Sequence, residues 1–269
     1  MAVVVAAVAV TVAARELPLP AVPDSLRTPA ARAAYVVGHY WDAMDWADTA
    51  ALADTAFIEG AFAGFAAVMP HAPAADAASA AAAMMDAAES AGCGRRMADI
   101  AARYLGEPSS PVYCSDCLLP LLGRAIARGT ATQREMALHD ELSALAPGAV
   151  APQLTLVTGP LPAADVPTLL LFYDSACSDC SRLIGRLASD AALAARVAAG
   201  SLRVVAVEMD GAAGSSLPAG WVAEAAADPD AVYDTWRLGR LPSMWLIGAD
   251  GRVVLRDATV PALGAAMAR

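Results

Sequence analysis

Two pairs of cysteines are the residues of this chain whose spacing suits chemistry. Cys177 and Cys180 enclose a Ser-Asp dipeptide, and Cys114 and Cys117 enclose the same dipeptide. Such a pair can cycle between dithiol and disulfide and so exchange with the disulfides of other molecules. It can also bind a metal or form a static disulfide. The spacing therefore leaves several chemistries open, and the elements that position each pair must decide between them.

The sequence predicts that the Cys177–Cys180 pair lies between a strand and a helix. An apolar run, Thr168 to Tyr173, ends just before the pair, and Ser178 to Ala199 has apolar residues at helical spacing. At the N-terminus of that helix, the dipole and the unpaired amides would stabilise a thiolate. We therefore expect Cys177 to be the nucleophile and Cys180, one turn later, to be the resolving thiol. A static disulfide or two buried thiols is the alternative.

The Cys114–Cys117 pair is a possible second redox pair that relays electrons to or from Cys177 and Cys180. All four sulfurs could instead bind zinc, but the two pairs lie much farther apart in the chain than the roughly 15 to 20 residues usual between zinc knuckles. A local disulfide or two packed thiols is the simpler alternative. The sequence predicts no metal and no cofactor.

A dipeptide near the C-terminus is the candidate for binding substrate. Leu241 and Pro242 stand directly before the apolar run Ser243 to Ile247, which predicts a strand. A proline is tolerated at the first residue of a strand, and a cis Leu241–Pro242 bond would present backbone to an extended substrate beside the dithiol. An ordinary trans proline at the start of an edge strand is the alternative.

The periodicity of the chain predicts a two-domain α+β protein. The first part reads as all-helical and the second as strands alternating with helices, with a change of period near Ala146-Pro-Gly148. We predict a possible signal peptide at 1–20, a helical domain at 21–148 and an α/β domain at 149–269. The predicted helices are 30–47, 49–68, 77–91, 97–105, 112–128 and 131–145, followed by strands 153–157, 168–173, 202–208, 243–247 and 252–256 and a final helix, 260–267. Ser109 or Ser110 is the expected cap of the helix that carries Cys114.

Charge and hydropathy limit the partners and the location. The formal charge of the 269 residues is −10, which argues against nucleic acid as a partner. Ala2 to Ala14 form a small-apolar run of the length of a signal-peptide core, so we predict export to the periplasm or cell envelope. No other run has the length and bulk of a membrane span, and the mature chain is predicted to lack one. Protein dithiols or disulfides are the expected partners.

Several motifs resemble a known family. Residues from about 150 to 269 resemble the TlpA-type thioredoxin-like thiol-disulfide oxidoreductases through Phe172-Tyr-Asp-Ser-Ala-Cys-Ser-Asp-Cys180, through Leu241-Pro242 and through Trp245-Leu-Ile-Gly-Ala-Asp-Gly251. Residues from about 27 to 150 resemble the helical domain of unknown function that precedes such a module in exported bacterial proteins, through Gly38-His-Tyr-Trp-Asp42 and Asp45-Trp-Ala-Asp-Thr49. The resemblance implies a thioredoxin-like fold and, for the reaction, reduction of disulfides. A non-catalytic binding or scaffold protein of the same fold is the alternative.

Three residues depart from that resemblance. Thioredoxins usually carry Trp before the first cysteine, where this chain has Ala176, and a buried acidic residue six positions earlier, where it has Leu171. No proton acceptor for Cys180 is therefore evident in the sequence. Asp179, between the two cysteines, is expected to work against a thiolate through its charge.

Overall fold

The computed structural model describes residues 15–211 and 217–267. The predicted signal peptide, 1–20, therefore lies mostly outside the described residues. None of the helices within those two ranges combines the length and the hydropathy needed to cross a membrane.

The first part of the chain is a helical region. Short polar side chains begin its helices: Thr28 and Asp48 accept hydrogen bonds from backbone amides one turn later, and Thr132 with Glu135 forms a reciprocal capping box. Its helices are α1 (Pro29–His39), α2 (Thr49–Ala53), α3 (Thr55–Val68), α4 (Ala74–Ser90), α5 (Gly94–Gly106), α6 (Ser115–Ala127) and α7 (Gln133–Ser143), with a 3₁₀ turn, Met69–His71, after α3.

The core of the helical region is formed around α4, which packs against α1, α5 and α6, while α3 packs against α5. Phe62 and Phe65 of α3 are fully buried, as are Met97 of α5 and Leu118 of α6. One predicted helix, 49–68, is in fact two, because Asp54 has an extended backbone and its carboxylate caps α3 through the amide of Phe57, at 3.1 Å. Sequence periodicity alone does not detect such a break, since the apolar spacing continues across it.

The second part of the chain is a sheet region built on five strands. These are β3 (Thr168–Tyr173), β4 (Arg203–Glu208), β5 (Val222–Ala225), β6 (Ser243–Ile247) and β7 (Val253–Leu255), and a separate short pair is formed by β1 (Thr155–Leu156) and β2 (Gly159–Pro160). The helices are α8 (Ser178–Ala188), α9 (Ala191–Ala198), α10 (Pro229–Trp236) and α11 (Val260–Met267). The five strands lie in the order β5-β4-β3-β6-β7, and the central strand, β3, pairs in parallel with β4 and antiparallel with β6. The predicted α+β architecture, helical first and mixed α/β second, is confirmed.

The helix after the dithiol and one edge strand differ from the sequence prediction. The predicted helix 178–199 divides into α8 and α9, because the Asp190 carboxylate accepts hydrogen bonds from the amides of Ala192 and Leu193 and begins a new helix. The edge strand β5 was not predicted. Its sequence, Val222-Ala-Glu-Ala225, is short and half exposed, so it lacks the apolar run that identifies the central strands.

Residues of the central strands point alternately to the two faces of the sheet. One face packs on α10, and its cluster includes Leu170, Phe172, Val205, Val207, Trp236 and Trp245. The other face packs on α8, α9 and α11, and its cluster includes Leu169, Leu171, Tyr173, Cys180, Val204 and Ala206. We call these the α10 face and the α8 face. Cys180 thus lies on the α8 face, near the end of the central strand.

Candidate functional site

Cys177 stands at the junction between the central strand and α8. Its backbone is extended, with φ −81° and ψ 120°, and its sulfur caps the helix by accepting a hydrogen bond from the amide of Cys180, at 3.3 Å. The amide of Cys177 donates to the carbonyl of Asp174, at 3.1 Å, which closes the turn out of β3. Cys177 is half-buried, and its thiol is free. A sulfur in this position receives the amide donor and the positive end of the helix dipole that stabilise a thiolate.

Cys180 lies beneath Cys177 and is fully buried. Burial is the main cause that raises the pKa of its thiol to about 12, and a backbone hydrogen bond from Asp174 opposes that rise. The adjacent Cys177 thiol and the charge of Asp174 raise it further. The two sulfurs are therefore unlike: one is accessible and capped by an amide, and the other is enclosed and holds its proton.

Asp179 has a partner that the sequence analysis did not anticipate. Its carboxylate forms an ion pair with Arg182, one turn later on α8, and both side chains are exposed. The cation and the surrounding water weaken the effect of the Asp179 charge on the sulfurs. The acidic side chain that acts on Cys180 is instead Asp174.

Leu241 and Pro242 directly precede β6, the strand that pairs with the central strand. Their peptide bond is cis. The following residue, Ser243, pairs with Phe172 of the central strand, so the dipeptide is next to the end of β3 from which the chain turns toward Cys177. Leu241 packs against the residues of both sheet faces. The position predicted for substrate binding is thus at the same end of the sheet as the two thiols.

The second pair is joined: Cys114 and Cys117 form a disulfide with an S–S distance of 2.03 Å. Cys114 is itself the cap of α6, and its sulfur accepts from the amide of Cys117 at 3.2 Å, as Cys177 does in α8. The prediction that Ser109 or Ser110 caps this helix is wrong. The Ser110 hydroxyl instead accepts from the amide of Val112 within the preceding turn, at 3.3 Å.

The start of α6 docks on the sheet region beside the Leu241–Pro242 loop. Ser115, between the second pair of cysteines, donates to Asp257 at 3.2 Å, and Asp257 accepts from Ser243 at 2.6 Å. The neighbouring Asp116 forms an ion pair with Arg256, whose side chain is almost completely buried. The second pair is thereby held close to the loop that flanks the first pair.

The two regions also meet at the loop before Pro242. Arg240 lies over the ring of Tyr113, with its guanidinium carbon 5.2 Å from the ring centre. A Cβ on Gly239 would be 2.9 Å from the Tyr113 hydroxyl and 3.0 Å from Cγ of Pro108. Beside this contact is a cavity of about 300 Å³ whose lining includes Tyr113 and Ser115 from the helical region and Tyr233 and Gly239 from the sheet region.

Sequence reasoning missed one buried acid, Glu208 at the end of β4, which bonds the turn before Cys177. It is 1 % exposed, and its carboxylate accepts from the amide of Ser175, at 3.0 Å, in the turn before Cys177. A charged residue inside the apolar run 202–209 was the available signal. A search for acids close to the cysteines in sequence does not find it, because parallel pairing of β4 with β3 brings it there.

A zinc site shared by the two pairs does not agree with this structure. Cys114 and Cys117 are bonded to each other, and thiolates are what zinc requires. Among residues 15–211 and 217–267, no three or more His, Cys, Asp or Glu side chains are grouped in a way that suits a metal ion.

The fold is thioredoxin-like, with a helical region before it. The structure is similar to that of a thioredoxin-like protein from Bacteroides caccae, with a TM-score of 0.64 and 22% identity over 94% of this chain and 98% of that chain. Residues 3–134 match the family model described as Domain of unknown function (DUF5106).

Two further solved structures match less than half of this chain. One is a conserved protein of unknown function from Bacteroides fragilis, with a TM-score of 0.40 and 23% identity over 45% of this chain and 98% of that chain. The other is a thiol:disulfide interchange protein from Bacteroides sp., with a TM-score of 0.37 and 19% identity over 46% of this chain and 88% of that chain. No curated protein matches the chain. The likeness to the Bacteroides caccae structure establishes the fold alone, and the activity has to be argued from the site.

Proposed function

We propose that this protein exchanges disulfides with protein partners, in the reductive direction, through Cys177 and Cys180. The observation that carries the proposal is the cap of α8: the half-buried Cys177 sulfur accepts the amide of Cys180 at 3.3 Å, above a fully buried second thiol. This asymmetry suits a nucleophile and a resolving thiol. Leu241 and Pro242, at the same end of the sheet, are the proposed contacts for an extended substrate.

The proposed reaction has two steps. The Cys177 thiolate attacks one sulfur of the substrate disulfide, which forms a mixed disulfide and releases the first substrate thiolate. Cys180 then loses its proton and attacks the Cys177 sulfur, which forms the Cys177–Cys180 disulfide and releases the second substrate thiol. Two electrons pass from the dithiol to the substrate, and an external thiol donor returns the pair to the reduced state.

The test is reduction of insulin in the presence of a thiol donor. We expect the wild type to accelerate the reaction and Cys177→Ser to reduce it to the rate of the donor alone, because serine supplies no thiolate. Cys93→Ser is the matched control, since Cys93 is also a half-buried thiol at the start of a helix, and it should keep the full rate. If the wild type is no faster than Cys177→Ser, the protein is a binding or scaffold protein of this fold.

The same proposal extends to the second pair, Cys114–Cys117, as a disulfide that exchanges with the dithiol. Its support is the placement of α6, which Ser115 and Asp257 tie to the loop flanking Cys177 and Cys180. Exposed to a limiting thiol donor, Cys114–Cys117 should become reduced at least about tenfold faster in the wild type than in a Cys177→Ser/Cys180→Ser variant.

Differential alkylation followed by mass spectrometry measures that rate. A rate independent of protein concentration identifies exchange within one chain. Equal rates in the wild type and the double variant would make Cys114–Cys117 a structural disulfide.

A further inference from the structure

We propose that Glu208 accepts the proton of Cys180 when Cys180 attacks the mixed disulfide. The proposal rests on the thiol-disulfide exchange argued above and adds the group that activates its second step. No residue near the cysteines in sequence was identified for that role, and Glu208 belongs to a different strand.

The Glu208 carboxylate is buried and incompletely bonded. One oxygen, Oε1, accepts from the amides of Ser175, at 3.0 Å, and Asp210, at 3.4 Å. The other, Oε2, is buried and has no hydrogen-bond partner among the described residues. Within residues 15–211 and 217–267, Glu208 also forms no ion pair. A buried oxygen of this kind is costly unless it has a partner or a function, and it has the free lone pairs needed to receive a proton.

Glu208 lies on the sheet face that carries Cys180. Along β4, Val204 and Ala206 pack in the α8-face cluster with Cys180, and Val205 and Val207 pack in the other cluster. The alternation of side chains along a strand therefore directs Glu208 to the α8 face, one step beyond Ala206.

Two consecutive residues of the turn after β3 hydrogen-bond the Cys180 thiol and the Glu208 carboxylate. The backbone of Asp174 hydrogen-bonds the Cys180 sulfur, and the amide of Ser175 donates to Glu208. Tyr173, directly before them, is the register partner of Glu208. The thiol and the carboxylate are thus bonded to the same turn on the same face of the sheet, and the proposal requires that the proton pass between them directly or through one water molecule.

The chemistry of the second step requires such an acceptor. Burial, more than any other cause, raises the pKa of Cys180 to about 12, so its thiol keeps its proton at neutral pH. In the proposed step the proton moves from Cys180 to Glu208, the Cys180 sulfur bonds to Cys177, and the bond from Cys177 to the substrate breaks. The proton then passes from Glu208 to the departing substrate thiolate, which leaves as a thiol.

The other ionisable groups around Cys180 are less suited than Glu208 to accept its proton in this step. Asp174 is half-buried, and its carboxylate already accepts from the amide of Ala176, at 2.7 Å. Burial is the main cause that raises the pKa of Tyr233 on α10, and the charges of Asp174, Cys180 and Asp210 raise it further. Tyr233 therefore stays a neutral phenol. Cys177 is bonded to substrate during this step. On α8, Asp179 and Arg182 neutralise each other at the surface.

Ellman's reagent separates the two steps in the full-length protein. With Cys93, Cys114 and Cys117 replaced by serine, the reduced protein releases one coloured thiolate when Cys177 attacks and a second when Cys180 resolves the adduct. Stopped-flow absorbance records both phases. We expect Glu208→Gln to leave the first phase unchanged and to slow the second by about 100-fold at neutral pH. The difference in second-phase rate between Glu208→Gln and its parent should shrink as the pH rises, because hydroxide then removes the proton of Cys180.

Two matched variants complete the test. Glu224→Gln makes the same change on the adjacent strand, where the side chain bonds Thr158 at the surface, and Asp174→Asn removes the competing carboxylate. Glu224→Gln should keep the second phase and its pH profile. Asp174→Asn should not slow the second phase, because it removes a charge that raises the pKa of Cys180. The inference is overturned if the pH profile of Glu208→Gln superimposes on that of the parent, or if Asp174→Asn alone shows the loss. In either case a normal first phase would leave the exchange activity itself intact.

Discussion

Replacing Cys180 by serine is expected to stop turnover and to trap the substrate on the protein. In Cys180→Ser the sulfur of Cys177 remains capped on α8, so it still attacks a disulfide, but no thiol is present to resolve the adduct. The rate of insulin reduction should fall by at least about 100-fold. Mass spectrometry under non-reducing conditions should find the substrate bound to Cys177.

The trapped species distinguishes a true resolving thiol from a bystander. Cys177→Ser should form no adduct, and Cys93→Ser should turn over normally without accumulating one. The assignment of Cys180 would be wrong if Cys180→Ser reduced insulin at the wild-type rate, or if its adduct were on Cys93. The same trap identifies physiological partners, because the mixed disulfide survives purification.

Replacing Arg256 by methionine is expected to lower the free energy of unfolding by about 1 to 3 kcal/mol, since it leaves the partly buried Asp116 carboxylate and the Leu142 carbonyl without their donor. Arg256 is almost fully buried, donates to the carbonyl of Leu142 at 2.8 Å and forms the ion pair with Asp116. Burial raises the pKa of Asp116, and the guanidinium opposes that rise. Without Arg256, either the Asp116 carboxylate becomes protonated or the two regions separate around it.

Urea denaturation measures this effect, and the same hairpin offers a control. Arg252→Met makes the identical change four residues earlier, where the side chain is half exposed and bonds the carbonyl of Gly148 at 2.7 Å. Arg252→Met should lower the free energy of unfolding by less than about 1 kcal/mol. In Arg256→Met/Asp116→Asn the loss should be smaller than in Arg256→Met, because the unpaired charge is gone. Equal losses for Arg252→Met and Arg256→Met would contradict the role of the buried pair.

The sequence was most informative where a segment is buried on both sides. The strands 168–173 and 243–247 and the final helix, 260–267, were predicted with the observed bounds, because continuous apolar runs end at turn residues. Helix breaks at Asp54 and Asp190 were missed, since a capping carboxylate interrupts the backbone and leaves the apolar period intact. The boundaries proposed for the two domains remain predictions.

The candidate site was only partly accessible to sequence reasoning. The strand-to-helix transition locates Cys177 at a helix start, because both elements are local in sequence. Glu208 and the docking of α6 depend on contacts between residues distant in sequence, which periodicity does not encode. The pairing of Asp179 with Arg182 follows helical spacing and was available from the sequence, but it was overlooked.

The contact at Gly239 has an evolutionary consequence. Even a methyl group there would come within 2.9 to 3.0 Å of side-chain atoms of Tyr113 and Pro108 in the helical region, so those side chains would have to shift, which couples the loop before Pro242 to the segment before α6. A larger residue at 239 would favour a smaller one at 108 or 113 in the same lineage. Related chains in which the helical region has been lost would be released from that constraint, and position 239 is where their divergence should first become visible.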